Sequence, residues 1–452
     1  MDIKTKKYPF SIIHSQLYKM LSSRQLFLNH VAQTSPFPLA LEVHNAKGIY
    51  MFGSKNKKWI DIISGIGVSN VGHRHPKVIK AIQKQLRKYM HLMVYGEFIQ
   101  TPQVQLATAL SKTFITTLGQ DFLDKEDTNL TNHENIPQNA TYFVNSGSEA
   151  IEGAIKLAKR FTGRTQLIGC HNAYHGSTHA ALSLGTSKEW KEPFLPLLPD
   201  VAHICFDSKP CLSKITEKTA AVIIETVQGE AGVRIPKKSY LQALRKKCTE
   251  TGTILICDEI QCGFGRTGKL WAFEHFDIIP DIVVAAKGMG GGMPIGAFMA
   301  SQKMMSCLSD NPILGHISTF GGHPVSCVAS LATLKVIQEE NLLDTVEEKH
   351  NLFKELLNPK ETKAIKEFRG IGLMLAVRFE SFDFLQKVIA HCLDLGLLSD
   401  WFLYCDNSMR IAPPLIITKK EIKKACGIIL EAIRLTEEVA HRNTSNGRKE
   451  LL

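Results

Sequence analysis

The chain has 452 residues, of which 44% are hydrophobic and 21% are charged, and its formal net charge is +11. This length and composition are typical of a globular protein with a large domain and a smaller one. No apolar run approaches the roughly 18 residues that span a membrane, and the N-terminus lacks the apolar core and cleavage site of a secretory signal.

The cysteines and the positive charge narrow the class of protein. The eleven cysteines include no C-x-x-C pair, which favours reduced thiols in a cytoplasmic protein over a disulfide or zinc framework. The charge could attract nucleic acid or a phosphorylated ligand, or it could serve only solubility. Because the lysines are scattered and not interleaved with aromatic residues, we favour solubility and expect neither a nucleic-acid nor a membrane partner.

In chain order, the sequence divides into four predicted parts: an N-terminal arm with part of a small domain (1–75), a large domain (76–329), the C-terminal part of the small domain (330–440) and a tail (441–452). Within the first part, residues 48–76 predict two short strands around a polar turn and then a glycine-rich loop. Helical spacing of apolar residues follows over 76–93. Residues 119–140 are polar and without periodicity, which predicts an exposed insert.

From residue 141 onward, short apolar runs alternate with helical segments. This pattern predicts an α/β fold with a mostly parallel sheet that helices cover on both faces. The clearest helices are expected over 148–163 and 238–252, and a long helical stretch over 325–357. The predicted strands are TYFVN (141–145), TQLIGC (165–170), VAHICF (201–206), AAVIIET (220–226), TILICDE (253–259) and DIVVAAK (281–287).

Polar side chains terminate several of these runs. Ligands of open parallel sheets bind at the carboxyl ends of the strands, so we expect these residues to converge on one crevice. They are Asn145, Ser146, His171, Asn172, Glu225, Asp258, Glu259 and Lys287.

The segment NSGSEA favours an anion site. Ser146 and Glu149 have capping-box spacing, so a helix should begin there, and Gly147 allows a ligand to approach the backbone. The free N–H groups of a helix N-terminus attract anions such as phosphate. The alternative is an ordinary capped turn, since neither a Walker loop nor a G-x-G-x-x-G fingerprint is present.

Asp258 and Lys287 end two successive apolar runs. A carboxylate there needs a cation or donor, either a protonated heteroaromatic nitrogen or an Arg or Lys in a salt bridge. A lysine among apolar neighbours has a lowered pKa and becomes nucleophilic, although a lone strand-end lysine is more often a surface residue. Together, a phosphate cradle, a carboxylate and an amine match the phosphate, the pyridinium nitrogen and the aldehyde of pyridoxal phosphate.

Seven motifs in order make the resemblance plain over residues 30 to 440. The chain resembles the class-III, ornithine-type pyridoxal-phosphate aminotransferases, which implies a fold-type-I architecture: a large domain built on the mostly parallel sheet and a smaller α+β domain formed by the N- and C-terminal parts. The motifs are GHRHP, NSGSEA, AYHGST, ETVQGEAG, DEIQCGFGRTG, AAKGMGGGMPIGA and STFGGHP.

The resemblance implies roles for the residues that bind the cofactor. Lys287 would bind the cofactor covalently and later move the reacting proton, and Asp258 would keep the pyridine nitrogen protonated. Gln261 would reach the phenolic oxygen of the ring. Gly147 and Ser148 would hold the phosphate.

Four further positions follow from the same resemblance. Tyr174 would stack on one ring face with His175 beside it, and Glu225 would lie near the ring and support the motif around Gln261. Thr319 would reach the phosphate of the neighbouring subunit, so the active unit would be a homodimer with shared sites. No metal is implied.

Substrate recognition departs from the family pattern at two positions. Enzymes for ornithine, acetylornithine and 4-aminobutyrate commonly carry a carboxylate-binding arginine where this chain has Ser177, and a hydroxyl cannot replace a bidentate guanidinium. The loop near Ile66 also lacks the tyrosine that ornithine enzymes use. By contrast, Glu230 and Arg410 occupy the positions of the family's switchable pair, although they could also form a fixed structural ion pair.

The predicted activity is ping-pong transfer of an amino group from an amine or amino-acid donor to a 2-oxo acid, with 2-oxoglutarate as the expected acceptor. The same scaffold also hosts diaminononanoate synthase of biotin synthesis, an aminomutase, racemases and a decarboxylating aminotransferase. These share the cofactor motifs, so only the substrate pocket separates them. The sequence does not identify the donor.

Overall fold

The computed structural model describes residues 21–94, 98–118, 140–360 and 362–447. Residues 1–20 of the predicted N-terminal arm and nearly all of the predicted insert at 119–140 lie outside the described residues. The strands are β1 (Val43–Lys47), β2 (Tyr50–Gly53), β3 (Lys58–Asp61), β4 (Ala140–Val144), β5 (Gln166–Cys170), β6 (Val201–Ile204), β7 (Thr219–Glu225), β8 (Ile254–Asp258), β9 (Ile282–Ala285), β10 (Gly296–Ala300), β11 (Glu367–Ile371), β12 (Met374–Arg378), β13 (Leu397–Leu398), β14 (Asp400–Phe402) and β15 (Cys405–Ile411).

Helices connect and cover these strands. The α-helices are α1 (Ser23–His30), α2 (Pro76–Leu86), α3 (Thr101–Leu118), α4 (Gly147–Thr162), α5 (His179–Ser183), α6 (Lys188–Lys191), α7 (Lys238–Thr251), α8 (Gln302–Met305), α9 (Pro324–Glu339), α10 (Val346–Leu356), α11 (Phe382–Asp394) and α12 (Lys419–Gly447). Short 3-10 helices span Ser54–Asn56, Glu192–Phe194, Lys209–Lys214, Ala272–Phe276, Lys287–Gly290, Ser306–Leu308 and Leu342–Thr345.

The central sheet has seven strands in the order β4-β10-β9-β8-β7-β5-β6. β9, β8, β7, β5 and β6 run parallel, and β10 is antiparallel to both of its neighbours. Strands β7 to β10 are buried along their whole length, as expected for strands covered on both faces. The predicted mostly parallel α/β sheet is confirmed.

Alternating side chains of these strands build two cores. Ile223, Ile256 and Val284 pack beneath α4, where Gly153 lies so close to the Phe298 ring that a Cβ would sit 2.3 Å from it. The intervening residues, such as Val222 and Leu255, belong to the larger core on the other face. This double coverage holds the strand ends in fixed positions.

Two smaller sheets flank the central one. Their orders are β1-β2-β3-β13 and β11-β12-β15-β14. The N-terminal strand β3 pairs in parallel with β13, so the two ends of the chain contribute to one sheet. This topology is compatible with the predicted small domain, whose boundaries stay a prediction. The final helix continues to Gly447, beyond the predicted start of the tail at residue 441.

Three element boundaries differ from the sequence expectation. α2 ends at Leu86, before the predicted end at residue 93. The helical stretch over 325–357 is broken at Asn341, whose φ is +49°. β9 ends at Ala285, and Lys287 begins a 3-10 turn with φ +46° instead of ending the strand. The left-handed backbone turns Lys287 out of the sheet register.

Candidate active site

A cavity of about 470 Å³ opens at the carboxyl ends of the central strands. Asn145, Ser146, Glu225, Asp258 and Lys287 all line it, so five of the eight predicted strand-end residues converge. Nine of the eleven predicted site residues contribute to its wall: Gly147, Ser148, Tyr174, His175, Glu225, Glu230, Asp258, Gln261 and Lys287.

The other three strand-end residues do not reach the cavity, and their predicted convergence is wrong. His171 and Asn172 are exposed. Glu259 is buried on the opposite side from Asp258, where its carboxylate accepts hydrogen bonds from the Thr226 hydroxyl (2.6 Å) and the Ala272 N–H (2.7 Å). Consecutive residues of an extended chain point to opposite faces, which explains why Asp258 faces the cavity and Glu259 does not.

The N-terminus of α4 lies at one end of the cavity. The Ser146 hydroxyl accepts a hydrogen bond from the Glu149 N–H at 3.2 Å, as the predicted cap requires. The Glu149 carboxylate, however, accepts from the Asn145 N–H (2.8 Å) and the Ser318 hydroxyl, so the reciprocal half of the predicted capping box is absent. The first N–H groups of the helix therefore remain directed at the cavity wall.

Two glycines permit the close packing at this end. A Cβ on Gly147 would lie 2.8 Å from the Ile260 side chain. A Cβ on Gly176, whose φ is +130°, would lie 2.1 Å from the Ser148 hydroxyl oxygen. That hydroxyl also accepts a hydrogen bond from the Ser177 N–H at 3.3 Å. The backbone N–H groups and one hydroxyl thus form a cradle for an anion.

Asp258 and His175 form a buried pair deeper in the cavity. The Asp258 Oδ2 lies 2.7 Å from the His175 Nδ1, and Asp258 Oδ1 accepts the Ile260 N–H at 2.9 Å. Burial alone would lower the pKa of His175, but the hydrogen bond and charge of Asp258 outweigh it and raise that pKa. The His175 Nε2 is buried without a hydrogen-bond partner among the described residues.

Glu225 fixes the backbone on which Tyr174 stands. Its carboxylate accepts hydrogen bonds from the Tyr174 N–H at 2.9 Å and from the Gly229 N–H at 3.0 Å. Burial raises the pKa of Glu225 to about 7, and the charge of Asp258 adds to this effect against the opposing charge of His175. Glu225 therefore fixes two backbone segments beside the cavity, one at Tyr174 and one at Gly229.

Lys287 lines the same cavity as the anion cradle. Burial lowers the pKa of Lys287 below its usual value, and the charge of Arg410 lowers it further, while Glu230 opposes the shift. Its amine forms no ion pair or hydrogen bond with a described residue. A poorly solvated amine with a lowered pKa is a better nucleophile than an ordinary lysine amine.

These features fit pyridoxal phosphate. The cradle at α4 suits a phosphate, the Asp258 carboxylate suits a protonated ring nitrogen, and the Lys287 amine suits an aldehyde. The orphaned Nε2 of His175 is a buried polar group without a protein partner among the described residues, and the cavity of about 470 Å³ leaves space for a bound group.

Glu230 and Arg410 form a closed ion pair beside this site. Both carboxylate oxygens of Glu230 lie 2.9 Å from the terminal nitrogens of Arg410, and Gln261 donates to the same carboxylate at 3.1 Å. Burial alone would raise the pKa of Glu230, but Arg410 outweighs it and lowers that pKa to about 2. Glu230 lines the main cavity, whereas Arg410 lines a small adjoining cavity together with Ile66.

Ile66 belongs to a strained loop. Ser64, Gly65, Ile66 and Gly67 all have positive φ, between +55° and +73°. Asp61 holds the entry to this turn by accepting the N–H groups of Ile63 and Ser64 at 2.8 Å. For residues with a Cβ, left-handed backbone costs about 1–2 kcal/mol each, so the turn persists only because its surroundings fix it.

Two residues singled out in the sequence lie outside the cavity. Thr319 is exposed, and Ser177 is exposed with its hydroxyl 3.2 Å from the Tyr174 hydroxyl. Conversely, no sequence motif indicated Asp400, which accepts a hydrogen bond from the Arg410 Nε at 2.9 Å. The apolar wall at 293–295 was also missed, although it directly follows the glycine run after Lys287.

Known proteins resemble this chain along most of its length. The family model described as aminotransferase class-III matches residues 31–433. An acetylornithine aminotransferase of Methanopyrus kandleri is 37% identical over 90% of this chain and 97% of its own length. A [LysW]-aminoadipate semialdehyde/glutamate semialdehyde transaminase of Sulfolobus acidocaldarius is 33% identical over 88% and 96%.

The fold has close counterparts among solved structures. The ornithine aminotransferase of Toxoplasma gondii superimposes with a TM-score of 0.82 at 27% identity, covering 96% of this chain and all of that one. In the part of the chain that the structure describes, no helix combines the length and apolar character of a membrane span.

Proposed function

This chain belongs to the class-III aminotransferases and is a pyridoxal-phosphate-dependent transaminase, and on that premise we propose that it moves an amino group from the terminal amine of a donor to 2-oxoglutarate. The closed Glu230–Arg410 pair is the observation that carries this proposal. With the pair closed, Glu230 neutralises Arg410, and with the pair open, Arg410 is a free cation. A ping-pong reaction needs both states if one substrate has a carboxylate at the reacting carbon and the other does not.

When bound, pyridoxal phosphate supplies an aldehyde that captures amines and a ring that withdraws electrons from the carbon that loses a proton. Asp258 would hold the proton at the ring nitrogen, and His175 would orient Asp258 through its Nδ1. Gly147 and Ser148 would bind the phosphate, and Tyr174, whose backbone Glu225 fixes, would pack on the ring. The contacts of Asp258 with His175 and of Tyr174 with Glu225 support these roles.

Lys287 has two tasks. Its amine would bind the cofactor aldehyde, and when free it would move a proton at the reacting carbon. The lowered pKa suits both tasks, because the amine must be neutral to attack and to accept a proton. Gln261 connects the main cavity to the Glu230–Arg410 pair, since it lines that cavity and donates a hydrogen bond to Glu230.

Glu230 and Arg410 separate the two substrates. A donor whose reacting carbon bears no carboxylate binds while Glu230 neutralises Arg410. The α-carboxylate of 2-oxoglutarate or glutamate displaces Glu230 and takes its place on the guanidinium, where bidentate pairing is strong. A permanently exposed arginine would instead favour dicarboxylates in both half-reactions.

Ser177 sets the expectation for the far end of the donor. Ser177 lies outside the cavity but next to Tyr174, which lines it, and a hydroxyl there in place of a guanidinium suits a neutral hydrogen-bonding group better than a free carboxylate. The names of the relatives, which include acetylornithine and semialdehyde transaminases, support a donor that reacts at its terminal amine.

A donor panel tests the proposed function. Purified holoenzyme is mixed with single donors, namely N-acetylornithine, ornithine, 4-aminobutyrate and simple diamines, and the loss of the cofactor's visible absorbance is followed without an acceptor. We expect the fastest half-reaction with a simple diamine, the donor in this panel whose far end carries no carboxylate, and recovery of the absorbance with 2-oxoglutarate. If only α-amino groups react, or 2-oxoglutarate fails to restore the absorbance, the proposal is wrong.

The active unit is proposed to be a homodimer. Exposed apolar side chains surround Thr319, and they include Ile313 (76% exposed), Ile317 (62%) and Phe320 (54%). Exposed apolar patches of this kind mark protein interfaces. A second copy that covers this patch would bring Thr319 to the cofactor phosphate of its partner, as the family resemblance implies.

Light scattering tests the dimer. The wild-type chain should have twice the mass of one chain, and Ile317→Asp with Phe320→Asp should shift it toward the monomer and reduce cofactor retention. Val439→Asp, which charges an exposed position on α12, is the matched control and should remain dimeric. A cytoplasmic location is also proposed, because all eleven cysteines are free thiols, which reducing compartments maintain.

A further inference from the structure

Arg410 is held by the hairpin that carries it. Strands β14 and β15 place Asp400 directly opposite Arg410 in the antiparallel ladder, and the Arg410 Nε donates to Asp400 Oδ1 at 2.9 Å. The guanidinium also donates to the Trp401 carbonyl at 3.1 Å and lies 4.5 Å from the centre of the Phe402 ring. These three contacts come from neighbouring residues on one strand, and none of them involves Glu230.

The two edges of the guanidinium therefore have different partners. The Nε edge faces Asp400, while the two terminal nitrogens face Glu230. Loss of Glu230 from the pair would leave the contacts with Asp400, Trp401 and Phe402 unchanged. The arginine would stay in place with its outer edge free.

The Glu230 carboxylate occupies the position that the α-carboxylate of a bound substrate would take. Besides Arg410, it accepts hydrogen bonds from Gln261 (3.1 Å) and from the Leu403 N–H (3.2 Å). Leu403 follows β14 directly, so the hairpin supplies this donor as well. A carboxylate that displaces Glu230 meets the same donors only if Arg410 keeps its present orientation.

We propose that Asp400 is a positioning residue for substrate: it orients Arg410 for the α-carboxylate of the dicarboxylate acceptor, so that Glu230 moves when the acceptor binds and Arg410 does not. This proposal rests on the proposed function, because it presumes that a dicarboxylate binds at Arg410. Nothing in the motifs that carry the family resemblance includes Asp400, which lies outside all seven of them.

Equilibrium binding of glutarate to the holoenzyme tests the proposal without turnover. Glutarate has both carboxylates of the acceptor and no reactive carbonyl, and calorimetry measures its affinity. Asp400→Ala removes the acceptor of the Nε hydrogen bond and should weaken glutarate binding about tenfold, as expected for one hydrogen bond to a charged group. Asp400→Asn keeps an oxygen at this position and should stay within about threefold of the wild type.

Asp406→Ala is the matched control, since Asp406 is an exposed aspartate on β15 of the same hairpin. It should bind glutarate like the wild type. Steady-state kinetics add a second measurement: Asp400→Ala should raise the KM for 2-oxoglutarate about tenfold while the half-reaction with the amine donor keeps its rate within about twofold.

Three results would overturn the proposal. Equal affinity of wild type and Asp400→Ala for glutarate would show that Asp400 does not orient Arg410. Equal losses in Asp400→Asn and Asp400→Ala would point to charge or folding instead of the hydrogen bond. Absence of glutarate binding to the wild type would remove the proposed acceptor itself, and thus the proposed function together with this inference.

Discussion

The rim of the central sheet and the β14–β15 hairpin differ in whether their buried polar groups have partners within the protein. At the rim, the Lys287 amine has no ion pair with a described residue, and the His175 Nε2 is buried without a partner among the described residues. On the hairpin, every nitrogen of the Arg410 guanidinium has a carboxylate or carbonyl acceptor. The rim therefore has buried polar groups without protein partners, whereas the guanidinium on the hairpin has an acceptor for each of its nitrogens.

The difference follows from what each region binds. Under the proposed function, a bound cofactor would supply the missing partners of Lys287 and the helix N-terminus, so these groups would not need partners from the protein. In the proposed reaction Arg410 would bind one substrate and be neutralised toward the other, and a buried unpaired charge is costly. An internal carboxylate that can be displaced satisfies both demands.

Lys287→Ala should produce the largest effect, because it removes the covalent link and the proton carrier together. Turnover should fall by at least about 1,000-fold, within the range for a lost general acid–base group. Cofactor should still bind through Gly147, Ser148 and Asp258, but mass spectrometry after borohydride treatment should find none attached to the protein. Lys303→Ala, at an exposed position, is the control. Wild-type turnover in Lys287→Ala would contradict the assignment.

Asp258→Asn should have the second-largest effect on the rate. Removal of one partner of a buried ion pair costs roughly 3–5 kcal/mol, and each ~1.4 kcal/mol is tenfold in rate. We expect proton removal to slow about 100-fold and the pKa of His175 to fall, because its hydrogen-bonded carboxylate is the main cause of its raised value. Single-turnover absorbance measures the first quantity, and NMR titration of His175 the second. A change of less than tenfold in rate would mean that Asp258 is only structural.

Arg410→Ala and Glu230→Ala should have smaller and opposite effects. Without Arg410, the KM for 2-oxoglutarate should rise about 30-fold, since charge-assisted hydrogen bonds to the α-carboxylate are lost, while the amine half-reaction changes little. Without Glu230, glutamate should become a better donor because Arg410 stays exposed. Stopped-flow absorbance separates the half-reactions. Similar losses in both half-reactions for both variants would identify a fixed structural pair.

A pH profile should reveal the weakest effect, the electrostatic coupling of the two regions. Because burial lowers the pKa of Lys287, acylation of Lys287 in cofactor-free protein should have a midpoint below the ordinary value for a lysine amine. Glu230 opposes this shift, so Glu230→Ala should move the midpoint lower still. Mass spectrometry of labelled peptides across pH gives the midpoint of Lys287 in the wild type and in Glu230→Ala. A wild-type midpoint at the ordinary lysine value would contradict the described burial.

Much of the cofactor half could be predicted from local signals. Apolar runs that end in Asp258 and Glu225, and a capped helix after Ser146, identify a parallel sheet with polar residues at its rim. The family motifs then identify Lys287 as the amine. The incorrect members of the strand-end set, such as Glu259 and His171, show the limit of that method: a position at a strand end does not specify which face a side chain occupies.

Only the tertiary structure decided how the substrate half is arranged. Glu230 and Arg410 are 180 positions apart, and their closure depends on packing between the hairpin and the segment after β7. Asp400 became visible only through its register opposite Arg410. The backbone of Lys287, with φ +46°, likewise depends on contacts that no local pattern specifies. The sequence by itself determined which groups carry the chemistry, because propensity and periodicity act locally, whereas long-range packing determined which of them meet.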